Sequence, residues 1–301
     1  MLPEKLQTLD IFDPSSYPTR RDEDWKYSDL SRVLRVVPQP DAAHQTQARI
    51  MVPAGAPVLR FELYNDAIPV THQDIAFDLA EGASLTRIVI LDESGDAVSI
   101  RRSTVETAPG SVFKQYVFST GAKFQRFETH VAHAGHGAVV EMNGAYLLKD
   151  KRHFDLTTRV THADIDGETQ QLVKGLVRDS ATAVFQGRIL VEKGADGTDA
   201  RMRHQALILN DGAHVRAKPE LEIYANDVQC AHGNTIGALD EEALFFCMSR
   251  GMPEEVARGL LTHAFVLPVA DAIEDEEARG RVLEFLTKVS EAFHAGVGHA
   301  V

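Results

Sequence analysis

Cysteine is scarce in this chain. Its 301 residues hold two, Cys230 and Cys247, and Trp25 is the lone tryptophan. Two cysteines make no disulfide framework, so both are expected as thiols in a reducing, cytoplasmic setting. No apolar run approaches the roughly 20 residues that a membrane-spanning helix requires. The opening MLPEKLQTLD lacks a basic segment followed by an apolar one, so no signal peptide is expected. Positive charge is in deficit: 31 Lys and Arg against 44 Asp and Glu give a formal net charge of −13. Nucleic acid and anionic lipid both demand a cationic surface, so neither is expected as the main partner. Several catalytic signatures are missing too. The chain has no G-x-x-x-x-G-K-[ST] loop, so no ATP site of its own is expected, and no H-E-x-x-H, G-x-S-x-G or C-x-x-C. Gly135 and Gly137 form a G-x-G without the third glycine or a βαβ setting, and read as a turn.

A hydrophobic fraction of 44% with 25% charged residues is ordinary for a globular chain and ample for a core at this length. The length suits two domains, or one elongated domain with an appendage. Residues 1–55 are polar and proline-punctuated, with one dense stretch from Arg20 to Leu34. Trp25 and Tyr27 there are large amphipathic side chains suited to anchoring an arm onto a main body. From residue 56 to 237 short apolar segments follow one another with period-two alternation and turn residues between them. Examples are Val58–Leu63, Leu85–Leu91, Val112–Phe118, Ala138–Leu147, Thr169–Val177 and Ala183–Val191. Such spacing suits a sandwich, a barrel or a β-helix, and no repeat is strict enough to choose among them.

The residues from 238 to 301 read as three helices. Asp240 is the expected N-cap of the first (Glu241–Ser249) and Gly251 its stop. Pro253 opens the second, with Val256, Leu260, Ala264 and Leu267 along one apolar face, and Pro268 is expected to kink or end it. The third spans roughly Asp275–Phe293, with Val282, Leu286, Val289 and Phe293 in line. His294, His299 and the glycines beyond read as a frayed end.

Candidate ligands come next. His130, His133 and His136 look like a metal motif, but in a strand that spacing sends His133 to the face opposite His130. His153, His162, His204 and His214 are scattered over separate segments. Asp240, Glu241 and Glu242 read as helix-start electrostatics. Cys247 reads as a core thiol beside Phe245 and Phe246. Cys230 and His232 remain: two apart near a strand end, they point to one side of the chain. A thiol and an imidazole suit a soft or borderline metal, and iron–sulfur clusters accept both donors. Two ligands do not close a site.

Two stretches carry a resemblance. Asp24-Trp25-Lys26-Tyr27-Ser28-Asp29-Leu30 resembles an E-x-W-K-Y-T-x-L element, and DVQCAHGNTIGALDEEALFFCMSRG from Asp227 to Gly251 resembles a C-terminal signature. Both patterns are similar to those of the SufB/SufD family of the SUF iron–sulfur cluster assembly machinery. The Cys-x-His-Gly form at Cys230, His232 and Gly233 is similar to its SufD branch. The resemblance implies a mainly β fold: a parallel, right-handed β-helix core with a short N-terminal arm and a small C-terminal α-helical domain. It implies a non-catalytic scaffold in a complex with SufB and the ATPase SufC. SufB would pair through the β-helix core, and SufC would sit on the helices around Asp240–Leu267. A nascent, transient cluster shared with SufB would take His232 as a ligand, with Cys230 beside it. The chain is short for that family ahead of the β core. The alternative is a stand-alone homodimeric metal-binding β-helix scaffold, in which two copies of Cys230 and His232 supply four ligands.

Overall fold

The computed structural model describes residues 9–65, 67–133 and 135–294, so His299 lies outside the described residues. Fourteen strands follow in chain order: β1 (Ala43–Val52), β2 (Val58–Tyr64), β3 (Val70–Leu79), β4 (Ser84–Leu91), β5 (Val98–Thr107), β6 (Val112–Ser119) and β7 (Phe124–His133). The second half comprises β8 (Val139–Leu148), β9 (His153–His162), β10 (Glu168–Val177), β11 (Thr182–Val191), β12 (Thr198–Ile208), β13 (His214–Ile223) and β14 (Val228–Gly237). Odd-numbered strands form one seven-stranded sheet and even-numbered strands another, each in chain order and with all its pairs parallel. Each coil thus contributes one strand to each sheet, and the result is a β-solenoid of about seven turns.

Alternation explains how one chain builds several layers. Within each strand, residues of one parity point into the solenoid, where Val89, Val117, Phe127, Tyr146, Phe185 and Ile189 belong to one buried cluster. Ile88, Ile90, Tyr116, Phe118 and Leu147 have the other parity and pack outward against helices. Those helices are α3 (Glu254–Asp271) and α4 (Glu276–His294), whose Val266, Val269, Val282, Leu286 and Phe293 cover the outer face of the even-numbered sheet. The N-terminal arm, which carries the short helix α1 (Leu30–Val33), covers the odd-numbered sheet in the same way. Its Leu9, Ile11, Tyr17, Leu30 and Leu34 pack on Val98, Ile100 and Phe124, as expected of a docking arm. Trp25 stacks on Phe124 at 6.5 Å, and the buried Arg126 guanidinium lies 4.2 Å over the Trp25 ring.

Several local expectations change. The sequence does not single out strands β3 and β5, or β1 within the stretch expected as arm. The reason lies in their content: Gln73, Arg101 and Ser103 occupy inward positions, and the polar interior hides the alternation. Arg87 shows how such groups are accommodated. It is fully buried and donates to Glu62 (2.9 Å), Ser103 (2.6 Å) and Gln115 (3.1 Å). Pro268 does not end its helix, which runs on to Asp271. Both Pro268 and Ala264 are exposed, so the carbonyl deprived of its helical donor is on the wet side. Cys247, on the first helix of the tail, α2 (Glu241–Ser249), is half-buried rather than a core thiol.

Candidate functional site

Strand β14 is the last of the even-numbered sheet and, among the described residues, pairs on one side only, with β12. Its register sets Cys230 against Ala200, His232 against Met202 and Asn234 against His204. Ala200, Met202 and His204 are all buried inside the solenoid. In-register parallel pairing keeps side-chain direction, so Cys230, His232 and Asn234 also face the interior side. No further coil covers them among the described residues. Cys230 is half-buried and packs on the interior cluster, whereas His232 is exposed. Contrary to expectation, the strand does not end near Cys230 and His232 but keeps its pairing to Gly237. A Cβ at Gly233 would meet nothing within 4 Å, as suits a strand at the end of the stack.

Burial pushes the Cys230 thiol above its ordinary pKa, a hydrogen bond with the Ala200 backbone acts the other way, and the Asp199 carboxylate adds to the rise. A metal arriving here must therefore displace a proton from sulfur, and affinity rises with pH. Among the described residues no group of three or more His, Cys, Asp and Glu is placed to hold a metal ion. The thiol and imidazole are thus brought to one side of an open strand and stand there as an incomplete donor set. Around them the last coil leaves apolar surface: Ile223 is 41% exposed, Tyr224 63% and Ile236 40%.

The other histidines disperse as the spacing requires. His130 faces outward onto Glu128, His133 faces inward, and the exposed His136 meets Asp166 at 3.4 Å. Which scattered histidines meet was not legible. His133 stacks on His162 at 4.2 Å, both fully buried, and Thr169 Oγ1 lies 3.0 Å from His162 Nε2. Sequence reasoning also missed the partners of His204, which is held between Tyr146 and Asn234. No spacing signal connects these three, because each lies on a different strand.

Comparison with known proteins now bears on this geometry. Residues 36–265 match the model described as "SUF system FeS cluster assembly, SufBD core domain". The chain belongs to the SufB/SufD family. It is similar to the iron–sulfur cluster assembly protein SufD of Escherichia coli, 30% identical over 223 residues that cover 74% of this chain and 53% of that protein. It is similar also to an iron–sulfur cluster assembly SufBD family protein of Synechocystis, 31% identical over 204 residues, 68% of this chain and 45% of the relative. The chloroplastic protein ABCI7 of Arabidopsis thaliana is 30% identical over 200 residues, 66% of this chain and 42% of that one. The chain spans about half the length of these curated relatives. Within this SufD-like chain the matched core takes in all fourteen strands, α2 and the first two-thirds of α3.

The tail of the SufD-like chain has two unlike faces. Val266, Val269 and Ala270 of α3 are buried against the solenoid. The stripe picked out by its spacing points the other way, with Val256 56% and Leu260 51% exposed. On α2, Phe245 is 72% and Phe246 59% exposed. Asp240 caps α2 by accepting from the Glu242 and Ala243 amides at 2.9 and 3.1 Å, and Gly251 ends the turn at φ +88. No helix among the described residues is long and apolar enough to cross a membrane.

Proposed function

We propose that this chain is a non-catalytic, SufD-like scaffold that shares a nascent iron–sulfur cluster with a SufB-type subunit at the open end of its solenoid. The observation that carries this reading is the incomplete donor set. Cys230 and His232 lie on the same side of β14, beside exposed apolar residues, with no further ligand grouped with them among the described residues. A SufB-type solenoid meeting this coil would supply those ligands and cover Ile223, Tyr224 and Ile236. The cluster is cargo here, held while it forms and then passed on. His232 is the ligand in this reading, since its exposed imidazole offers a nitrogen donor to an arriving cluster. Cys230, its thiol proton held by burial, is the auxiliary donor.

The exposed faces of α2 and α3 are read as the seat of the SufC-type ATPase, which supplies the energy-consuming step from its own chain. Phe245, Phe246, Val256 and Leu260 give such a partner large apolar anchors, the residue types that carry most interface energy when desolvated. A reducing cytoplasmic setting keeps both thiols free for this role.

The test is co-expression with SufB and SufC, comparing wild type with His232→Ala. The expected outcome is a complex of unchanged size whose iron and sulfide content and anaerobic absorbance fall severalfold. Unchanged cluster content would end the ligand assignment. Retention of neither partner by a homodimer that itself holds iron would replace this reading with the stand-alone scaffold.

A further inference from the structure

The edge strand that carries His232 is tied to the core through a row of side chains whose purpose the ligand reading leaves open. Tyr146 leaves β8 pointing inward and reaches His204 of β12, two strands away, with its hydroxyl 2.8 Å from His204 Nε2. The space between them is kept clear by Gly175 of β10, whose register partners are Tyr146 and Ala206. A Cβ at Gly175 would overlap the Tyr146 ring and hydroxyl. His204 is fully buried, stacked on Phe185 at 4.8 Å with the rings 10° apart. Its other nitrogen, Nδ1, lies 2.7 Å from Asn234 Oδ1 on β14.

The chemistry of the row is directional. Burial holds His204 down at about 4, so the imidazole is neutral, with one nitrogen donating and the other accepting. With Asn234 presenting Oδ1, Nδ1 carries the hydrogen and donates, and Nε2 accepts from the Tyr146 hydroxyl. Burial also raises the Tyr146 pKa, which keeps that hydroxyl protonated. Every member therefore has one role, and each fixes the next. Asn234 lies two residues beyond His232 on the same side of a strand that, among the described residues, has a neighbour on one edge only. The residue beneath His232, Met202, offers an apolar contact and no hydrogen-bond donor.

We propose that Tyr146, His204 and Asn234 form a positioning relay that pins the free edge strand β14 and thereby fixes the direction of the His232 imidazole. Gly175 is part of the device because it provides the passage for Tyr146. The role in cluster assembly rests on His232 being a ligand, and the pinning of the strand stands apart from that reading. Such a tie suits an end coil, where a ligand shared between two chains must be held before the second chain arrives.

The experiment uses the full chain with Tyr146→Phe, which removes one hydroxyl, and Asn234→Leu, which keeps size and removes the acceptor. A second pair, His204→Asn and His204→Leu, tests rescue, because Asn restores a donor close to the Nδ1 position. The first readout is backbone hydrogen exchange strand by strand in the isolated chain. The second is iron and sulfide content of the complex co-expressed with SufB and SufC, with His232→Ala alongside. Loss of a hydrogen bond of about 1 kcal/mol corresponds to roughly fivefold faster exchange, expected in β14 with β8 and β10 unchanged. Cluster content is expected to fall severalfold in Tyr146→Phe and Asn234→Leu, and His204→Asn is expected to outperform His204→Leu in both readouts. Unchanged β14 exchange, or equal acceleration in every coil, overturns the relay. Full cluster content in Asn234→Leu where His232→Ala loses it overturns the positioning role. If His232→Ala also keeps full content, the ligand reading fails instead, and the exchange data alone decide whether β14 is pinned.

Discussion

Buried imidazoles make the stability of this chain depend on pH. Burial lowers the pKa of His162 and His204 to about 4, and lowers that of His133 as well, with the neighbouring His162 contributing. An unfolded histidine titrates near 6.5. Between these values the unfolded chain binds more protons than the folded one, so the unfolding free energy falls as pH drops from about 6.5 to about 4. Carboxylates act in a lower window. Burial would raise Glu62 and Asp74, but Arg87 with its hydrogen bonds holds Glu62 at about 2, and His72 and Arg102 hold Asp74 at about 2. Their stabilising share is lost as pH falls from the ordinary carboxylate range, about 4, to about 2. Urea midpoints measured from pH 7 to 5 should therefore decline through the histidines alone. His162→Leu should flatten that decline, and a slope unchanged from wild type would show that His162 is not one of the groups responsible. The sequence displayed each of these histidines, but their burial follows from which face of which strand meets the core. Arg126 is the same case in a charged residue: it is fully buried between Glu128 (3.0 Å) and Asp155 (2.6 Å), under the Trp25 ring. Nothing in Phe124-Gln125-Arg126-Phe127 announces a buried guanidinium.

At the scale of the element, glycines and the C-terminal helices are the informative parts. Gly175→Ala should place a methyl group where the Tyr146 ring lies. The expected cost is about 1–3 kcal/mol, as for other overpacked interiors, read from the urea midpoint. A variant as stable as wild type would show that Tyr146 can move aside freely. The helix face gives the opposite expectation. Phe245→Ser with Leu260→Ser removes two exposed apolar side chains, so the thermal midpoint of the isolated chain should hardly move. Pull-down of SufC should nevertheless be lost, and full retention would rule out this face as its seat. The stripe of Val256, Leu260, Ala264 and Leu267 was legible as an apolar face by spacing. Its direction was not, because α3 carries a second apolar face through Val266, Val269 and Ala270, and packing on the solenoid selects the latter.

The whole molecule is a stack in which each coil contacts its neighbours, so its two ends differ from its middle. The arm and the helices cover the two outer faces, while β13 and β14 leave the last coil open. Hydrogen exchange should accordingly be slowest in the central coils and faster in β13 and β14. Adding a SufB-type partner should slow exchange in those two strands selectively. Protection appearing elsewhere and not there would move the pairing surface to another face of the molecule.

What the sequence determined by itself was the mainly β class of the core and the placing of a thiol and an imidazole two residues apart, at Cys230 and His232. Period-two alternation between turn residues establishes strands whatever their partners, and capping at Asp240 and Gly251 is settled within a few residues of chain. The Trp-Lys-Tyr and Cys-x-His-Gly stretches carried the family likeness because they are contiguous. The solenoid itself was not legible as a repeat, since register partners one coil apart are separated by 26 (Val98 and Phe124) to 32 residues (Thr182 and His214) and no fixed period survives. Only the tertiary structure decided that β14 ends the stack, that Cys230 is half-covered while His232 is open, and that Tyr146 meets His204 and His204 meets Asn234. The physical reason is common to all three: they depend on parallel register between strands about thirty residues apart, and register is set by the packing of the whole interior rather than by any local run of residues.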